Sequence, residues 1–415
     1  MLIGVIGDDF TGSSDIANNL KKAGMSVSMF AGVPKKIKGQ AFSQATIIAL
    51  KTRTIPLNKA IQESLKALNW LKKAKCKKFI FKYCSTFDST KKGNIGPVID
   101  ALMESLKTDF TIACPSFPDA GRSLYFGHMF VNGIPLNESG MENHPLTPMT
   151  DHNLVRWLNY QTKNKAGLID IETIKKGSLE IKRKISSLKN NGIKYALVDT
   201  IENIDFDLIC EGTSHLKLLT GGSGIALGLP KIFKKKGLLK KTNNILPKIK
   251  SHSLIISGSC SQATLIQISN YKNKHPSLSI FPEKIIKKSG YFEEVIQWTL
   301  KNKNKKPLLY SSSEPNIVKK NQKKYGKELV AKKIESFFEK IALNLYNQNF
   351  KKIVVAGGET SGAIVKGLGI EELKIGQEIS AGVPTMWEPK RSIKIALKSG
   401  NFGQKDFFSR ALKLL

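Results

Sequence analysis

The chain has 415 residues, 41% hydrophobic and 24% charged, which suits a globular protein of two or three domains. No apolar run reaches the roughly 18 residues needed to cross a bilayer, so no membrane partner is expected. The formal charge of +33 raises nucleic acid as a partner, but 60 of the 66 basic residues are Lys, and base reading leans on the Arg fork.

No nucleic-acid role is therefore expected, although the positive field suits anionic substrates. The start, Met1-Leu2-Ile3-Gly4-Val5-Ile6-Gly7-Asp8-Asp9, reads as a strand and not a secretory leader, so a cytoplasmic location is expected. Cys76, Cys84, Cys114, Cys210 and Cys260 form no C-x-x-C pair. Neither a disulfide nor a structural metal is expected.

In chain order, the apolar pattern predicts strand 2–6, helix 13–22 ended by Gly24, and strands 27–30 and 45–50. Helix 60–71, strand 78–83, helix 95–106 and strand 110–114 follow. Residues 115–148 are rich in Pro, Gly, Asn and His and read as a long functional loop or a small insertion. Strands 195–198 and 216–220 resume the alternation. Charge, Pro, Gly and Asn around 230–251 mark a domain boundary, giving domains 1–240 and 241–415. The second series is strand 253–257, helix 262–271, strand 306–310, helix 329–346, strand 353–356 and strand 392–397. This alternation predicts an α/β protein of two domains, each a largely parallel sheet flanked by helices.

Several strand ends carry chemistry. Gly7-Asp8-Asp9-Phe10-Thr11-Gly12 sets two carboxylates at the carboxyl end of the first strand, where open α/β sheets bind ligands. Adjacent like charges raise the cost of ionising both, which suits proton transfer; an acidic turn with an N-cap is the plain alternative. Phe81-Lys82-Tyr-Cys-Ser85-Thr-Phe-Asp88-Ser89-Thr90 offers Lys82 for an anion and Ser85, Asp88 and Ser89 for a polyol. Arg122, behind Pro115 and Pro118 in an Arg-poor chain, is a candidate carboxylate clamp. His144 is either a substrate contact or an ordinary loop histidine.

In the second half, Ile353-Val-Val-Ala-Gly357-Gly358-Glu359-Thr360-Ser361 reads as strand, tight turn and helix start, a ready phosphate site. Ser257-Gly-Ser-Cys-Ser261 and Lys398-Ser-Gly400-Asn-Phe-Gly403 repeat the design, and three such turns could enclose a nucleotide. Gly221-Gly-Ser-Gly224-Ile-Ala-Leu-Gly228 approaches a dinucleotide fingerprint but has one residue too many and no acid about twenty residues on. That leaves an NAD-linked oxidoreductase as a remote reading. No P-loop or protein-kinase motif is present.

Seven motifs then stand in order: Asp8-Asp9-Phe-Thr-Gly12 with Asp15, 81–90, Gly93-Asn-Ile-Gly-Pro97, Gly221-Gly-Ser-Gly224, Ser257-Gly-Ser-Cys260, Ala356-Gly-Gly-Glu-Thr-Ser361 and Leu397-Lys-Ser-Gly-Asn-Phe-Gly403. In this order the chain resembles the four-carbon acid sugar kinase family across its length. Ser139-Gly-Met-Glu-Asn-His-Pro145 points to the branch that acts on 3-oxo acids. The resemblance implies a sugar-acid-binding first domain, an ATP-binding second domain and an active site in the interdomain cleft. It implies ATP, with Mg²⁺, phosphorylating the terminal hydroxyl of a 3-oxo four-carbon acid; threonate or erythronate is the alternative acceptor. It places Ser257, Gly357, Gly358, Glu359, Thr360 and Gly400 at ATP. Arg122 and Lys82 are assigned to the substrate carboxylate, and Asp8 or Asp9 to the hydroxyl or the metal. A homodimer is compatible with the sequence, which does not set the oligomeric state.

Overall fold

A computed structural model describes residues 1–35, 43–144, 146–239, 246–313 and 315–415. Pro145 of the loop motif and the Lys240–Asn244 run lie outside these. The chain divides into two compact units, Met1–Asn243 and Asn244–Leu415.

The first unit holds strands β1 (Ile3–Gly7), β2 (Val27–Ala31), β3 (Ala45–Ala49), β4 (Lys78–Lys82), β5 (Thr111–Cys114), β6 (Arg122–Tyr125), β7 (His128–Val131), β8 (Ile134–Pro135), β9 (Ala166–Ile169), β10 (Tyr195–Val198) and β11 (Leu218–Gly221). Its helices are α1 (Phe10–Lys22), α2 (Leu57–Lys73), α3 (Ile95–Leu106), α4 (Leu154–Asn159), α5 (Ile171–Lys175), α6 (Ser178–Asn190), α7 (Asp205–Gly212) and α8 (Leu229–Lys235). Eight strands pair in the order β2-β3-β1-β4-β11-β5-β10-β9, all parallel. β1 and β4 sit centrally and are buried along their whole length, so β1 reads as an apolar run and β4 as Phe79-Ile-Phe81 between two buried lysines. α1 stops where Gly24 takes φ +98°, open to glycine without steric cost.

Residues 115–148 are more than a loop. β6, β7 and β8 form a small antiparallel sheet joined by tight turns at 126–127 and 132–133. The Gly221–Gly228 run is a packing device. Added Cβ atoms at Gly221, Gly222 and Gly228 would lie 2.1–2.3 Å from backbone oxygens of Cys114, Pro115 and Phe206. Close backbone approach therefore accounts for these glycines, and a short 3-10 turn, Gly224–Leu227, stands between Gly222 and Gly228, the N-cap of α8.

The second unit holds β12 (His252–Ser257), β13 (Ser277–Ser279), β14 (Leu308–Tyr310), β15 (Phe350–Ala356), β16 (Glu372–Ser380), β17 (Val383–Glu388) and β18 (Ile393–Lys398). Helices α9 (Gln262–Lys272), α10 (Pro282–Lys287), α11 (Tyr291–Lys301), α12 (Pro315–Tyr325), α13 (Lys327–Asn347), α14 (Gly358–Gly367) and α15 (Phe407–Leu414) flank it. The strand order is β13-β14-β12-β15-β18-β17-β16; β16 and β17 run antiparallel to their neighbours and the rest are parallel. Among the described residues no helix is long and apolar enough to cross a membrane.

Candidate active site

The chemistry of the first unit gathers at the carboxyl edge of its parallel sheet. β1 ends at Gly7, and Asp8 and Asp9 follow. Asp9 becomes the N-cap of α1: its carboxylate accepts from the Gly12 amide at 3.1 Å and the Thr11 hydroxyl at 2.7 Å. Gly12 is required here, since a Cβ would lie 2.4 Å from Asp9 Oδ1 and 2.8 Å from Lys82 Nζ. The neighbouring strand β4 delivers Lys82, fully buried, whose Nζ donates to the Tyr83 carbonyl at 2.6 Å.

Both acids are held by a residue that sequence reasoning missed. Arg53, four positions beyond β3, donates from Nε and Nη2 to Asp8 at 2.8 and 2.9 Å, and from Nη2 to Asp9 at 2.8 Å. Its Nη1 stands 3.7 Å from Asp88. The signal was available: Arg53 is as rare in type as Arg122 and also follows a strand. Asn94 clamps the loop carrying it, donating to the carbonyls of Thr52 (2.8 Å), Arg53 (3.3 Å) and Ile55 (2.9 Å).

Burial raises the Asp8 carboxyl above its ordinary range, against the pull of Arg53. At Asp9 burial is outweighed by Arg53, Lys82 and the cap hydrogen bonds, and the carboxyl falls below that range. Asp9, held below its range by these contacts, makes a poor proton acceptor, and both Asp8 oxygens already accept from Arg53. Asp15, one turn along α1, differs: burial pushes it up to about 6, opposed by Lys82 and Arg122, and its Oδ1 has no hydrogen-bond partner.

The 83–90 loop turns sharply at Phe87, φ +56°, a strained value for a bulky side chain, held by its edge-on packing against Tyr83. That turn brings Asp88 back toward Arg53, with the Thr86 hydroxyl donating to its other oxygen. Ser85 is buried in the same loop. Ser89 is occupied inside the protein: it donates to the Phe87 carbonyl and accepts from Trp157 and Gln161. Cys84 is pushed up to about 12 by burial and is no nucleophile at neutral pH. Arg122 is 8% exposed and lowered by burial, with Cys84, Asp15 and Asp88 acting on its charge, so it faces the acid cluster. His144 stands apart in its loop, where Nδ1 meets the amide and hydroxyl of Thr147.

In the second unit three small-residue turns interlock at the sheet's carboxyl edge. β12 ends at Ser257, whose hydroxyl pairs with that of Ser312 beyond β14 at 2.8 Å. β15 ends at Gly357, φ +120°, and α14 begins at once, with first-turn amides at Gly358, Glu359 and Thr360. A Cβ on Gly258 would lie 2.2 Å from the Thr360 hydroxyl, and one on Gly400 2.5 Å from the Ser259 hydroxyl. α9 ties down the third turn: Thr264 donates to the Gly400 carbonyl at 2.9 Å, and Gln267 to those of Phe402 and Gly403 at 3.0 and 2.8 Å. Beneath it Lys398 is fully buried, donating to Thr264 Oγ1 and the carbonyls of Ser399 and Gly400. Burial lowers it to about 7.

Comparison with known proteins matches each unit separately. Residues 3–229 match a family described as the sugar-binding N-terminal domain, and residues 254–408 one described as the nucleotide-binding C-terminal domain. A 3-oxo-tetronate kinase of Burkholderia multivorans is 43% identical, covering 100% of this chain and 97% of its own. One from Haemophilus influenzae is 41% identical, covering 99% of each. Among solved structures, a Haemophilus influenzae protein aligns with TM-score 0.77 and 40% identity over 99% of both chains. A Salmonella typhimurium LT2 protein, provisionally described as a tRNA synthase, aligns with TM-score 0.87 and 38% identity over 99% of this chain and 98% of its own.

Proposed function

The chain belongs to the four-carbon acid sugar kinase family, and from that premise we propose that it is an ATP-dependent 3-oxo-tetronate 4-kinase. It transfers the γ-phosphoryl group of ATP to the terminal 4-hydroxyl of a four-carbon 3-oxo sugar acid, giving the 4-phosphate and ADP. The observation that carries the reading is 41–43% identity along the whole chain to proteins named 3-oxo-tetronate kinase.

The two sites suit the two substrates. Residues 1–240 bind the sugar acid and residues 241–415 the nucleotide. Lys82 and Arg122 attract the acid's carboxylate. Asp8 and Asp9 hold Arg53 in place, and Asp88 and Ser85 offer acceptor oxygens to the polyol hydroxyls. In the second unit the amides of Gly358, Glu359 and Thr360 and the positive end of α14 receive the ATP phosphates, between the turns of Ser257 and Gly400. Phosphoryl transfer asks mainly for this positioning and for charge neutralisation. Mg²⁺ bound with the nucleotide would supply charge neutralisation at the transferred group. The enzyme works in the cytoplasm on small molecules.

An ADP-release assay over a panel of four-carbon acids tests the reading. The 3-oxo acid should give the highest kcat/KM with ATP. Equal or better turnover of threonate or erythronate would reassign the acceptor, and tighter binding of NADH than ATP would reject the kinase.

A further inference from the structure

The first unit contains three buried polar side chains that the roles above leave unused, on elements packed against one another. Asp15 comes from α1, Ser116 from the turn after β5, and Ser223 from the turn after β11. They are 3%, 0% and 0% exposed. Asp15 Oδ1 and Ser116 Oγ each lack a hydrogen-bond partner, and the Ser223 hydroxyl lies within reach of the Asp15 carboxylate. Their elements are locked together: Asn19 of α1 donates to the Ser223 carbonyl at 3.0 Å, and Gly224 lies against the Ser116 carbonyl. Lys82 from β4, Arg122 from β6 and Asp9 from the start of α1 act on the Asp15 charge, with the Ser223 hydroxyl beside it.

Each buried polar atom left unsatisfied costs stability. The open Asp15 and Ser116 oxygens, with Lys82 and Arg122 acting on the Asp15 charge, suit the oxygens of a ligand. Asp8 and Asp9 are already committed to Arg53 and to the α1 cap. Asp15 has an oxygen to give.

We propose that Asp15 is the proton acceptor of the phosphoryl transfer, with Ser116 and Ser223 holding neighbouring oxygens of the sugar acid. This deepens the kinase reading and rests on it. The 4-hydroxyl oxygen attacks the γ-phosphorus as its proton passes to the Asp15 carboxylate. The bond from the γ-phosphorus to the bridging oxygen breaks, and ADP leaves with that electron pair. The proton then passes to solvent. Asp15 must be ionised to act, so turnover falls as pH drops through about 6.

The test compares wild type, Asp15→Asn and Ser223→Ala in steady-state kinetics across pH 5–9, with thermal melts at pH 8. D15N should lower kcat by roughly 10²–10⁴-fold with an unchanged KM for ATP, a loss typical of a missing base. It should also melt higher than wild type, because it removes a buried charge, whereas a residue needed only for folding would melt lower. S223A should raise KM for the sugar acid more than it lowers kcat. Turnover by D15N within tenfold of wild type, with the acid limb retained, overturns the proposal. If wild type neither turns over nor is stabilised by any four-carbon acid, the kinase reading fails and takes this proposal with it.

Discussion

Removing the guanidinium of Arg53 would leave Asp8, Asp9 and Asp88 facing one another. Breaking a buried pair from one side strands the opposite charge, which typically costs about 3–5 kcal/mol. Arg53→Met should therefore lower the denaturation midpoint sharply, and R53M combined with Asp8→Asn should recover part of the loss. Simple addition of the two effects would disprove the coupling. Asp15 behaves in the opposite sense. Its folded-state value of about 6 lies above the ordinary 3.8, so the folded chain binds that proton more tightly than the unfolded one. Its contribution is fully favourable below about pH 4 and is lost as pH rises through 6. Above that, ionised Asp15 costs up to about 3 kcal/mol. D15N should erase this slope in stability-versus-pH curves. Lys398 offers a third titration. Buried near pKa 7 with three acceptors around it, it should gain a proton when a polyphosphate arrives above. Calorimetry of ATP binding in two buffers of different ionisation heat should show proton uptake near pH 7.5, and Lys398→Met should abolish it.

At the scale of elements, the three small-residue turns of the second unit form one object, because their glycines lie against each other's hydroxyls. Gly258→Ala would drive its methyl against Thr360 and tilt the start of α14. We expect KM for ATP to rise about tenfold, near 1.4 kcal/mol, with the sugar-acid KM unchanged. An equal rise in both would show a general loss of folding. These turns were legible in the sequence because each follows a short apolar run near the end of a strand, residues 254–256, 353–356 and 395–397. β16 was not legible: Glu372–Ser380 alternates with charge and has Gly376 in its middle, and only its pairing with β17 makes it a strand. Helices α4 and α5, of six and five residues, are too short to show a period. In the site, Asp8, Asp9 and Lys82 could be read because strand ends announce them. Arg53 and Asn94 could not be placed, because only the order β3-β1-β4 and three hydrogen bonds from one side chain bring them to Asp8. Asn94→Ala should loosen that loop and raise KM for the sugar acid.

For the molecule as a whole, the +33 charge acts on substrates that are both anions. Raising salt from about 0.05 to 0.5 M shortens the screening length severalfold. KM for both substrates should rise together while kcat holds, and a flat response would show that the charge plays no steering part. The same residues provide a reporter. With 60 lysines among 415 residues, about one position in seven is a trypsin bond wherever the backbone opens. Limited digestion therefore works as a map of local opening that needs no label. ATP given alone should silence cleavage within 254–408, and the sugar acid given alone within 3–229, so the fragment ladder would report which half grips which molecule before any phosphate has moved.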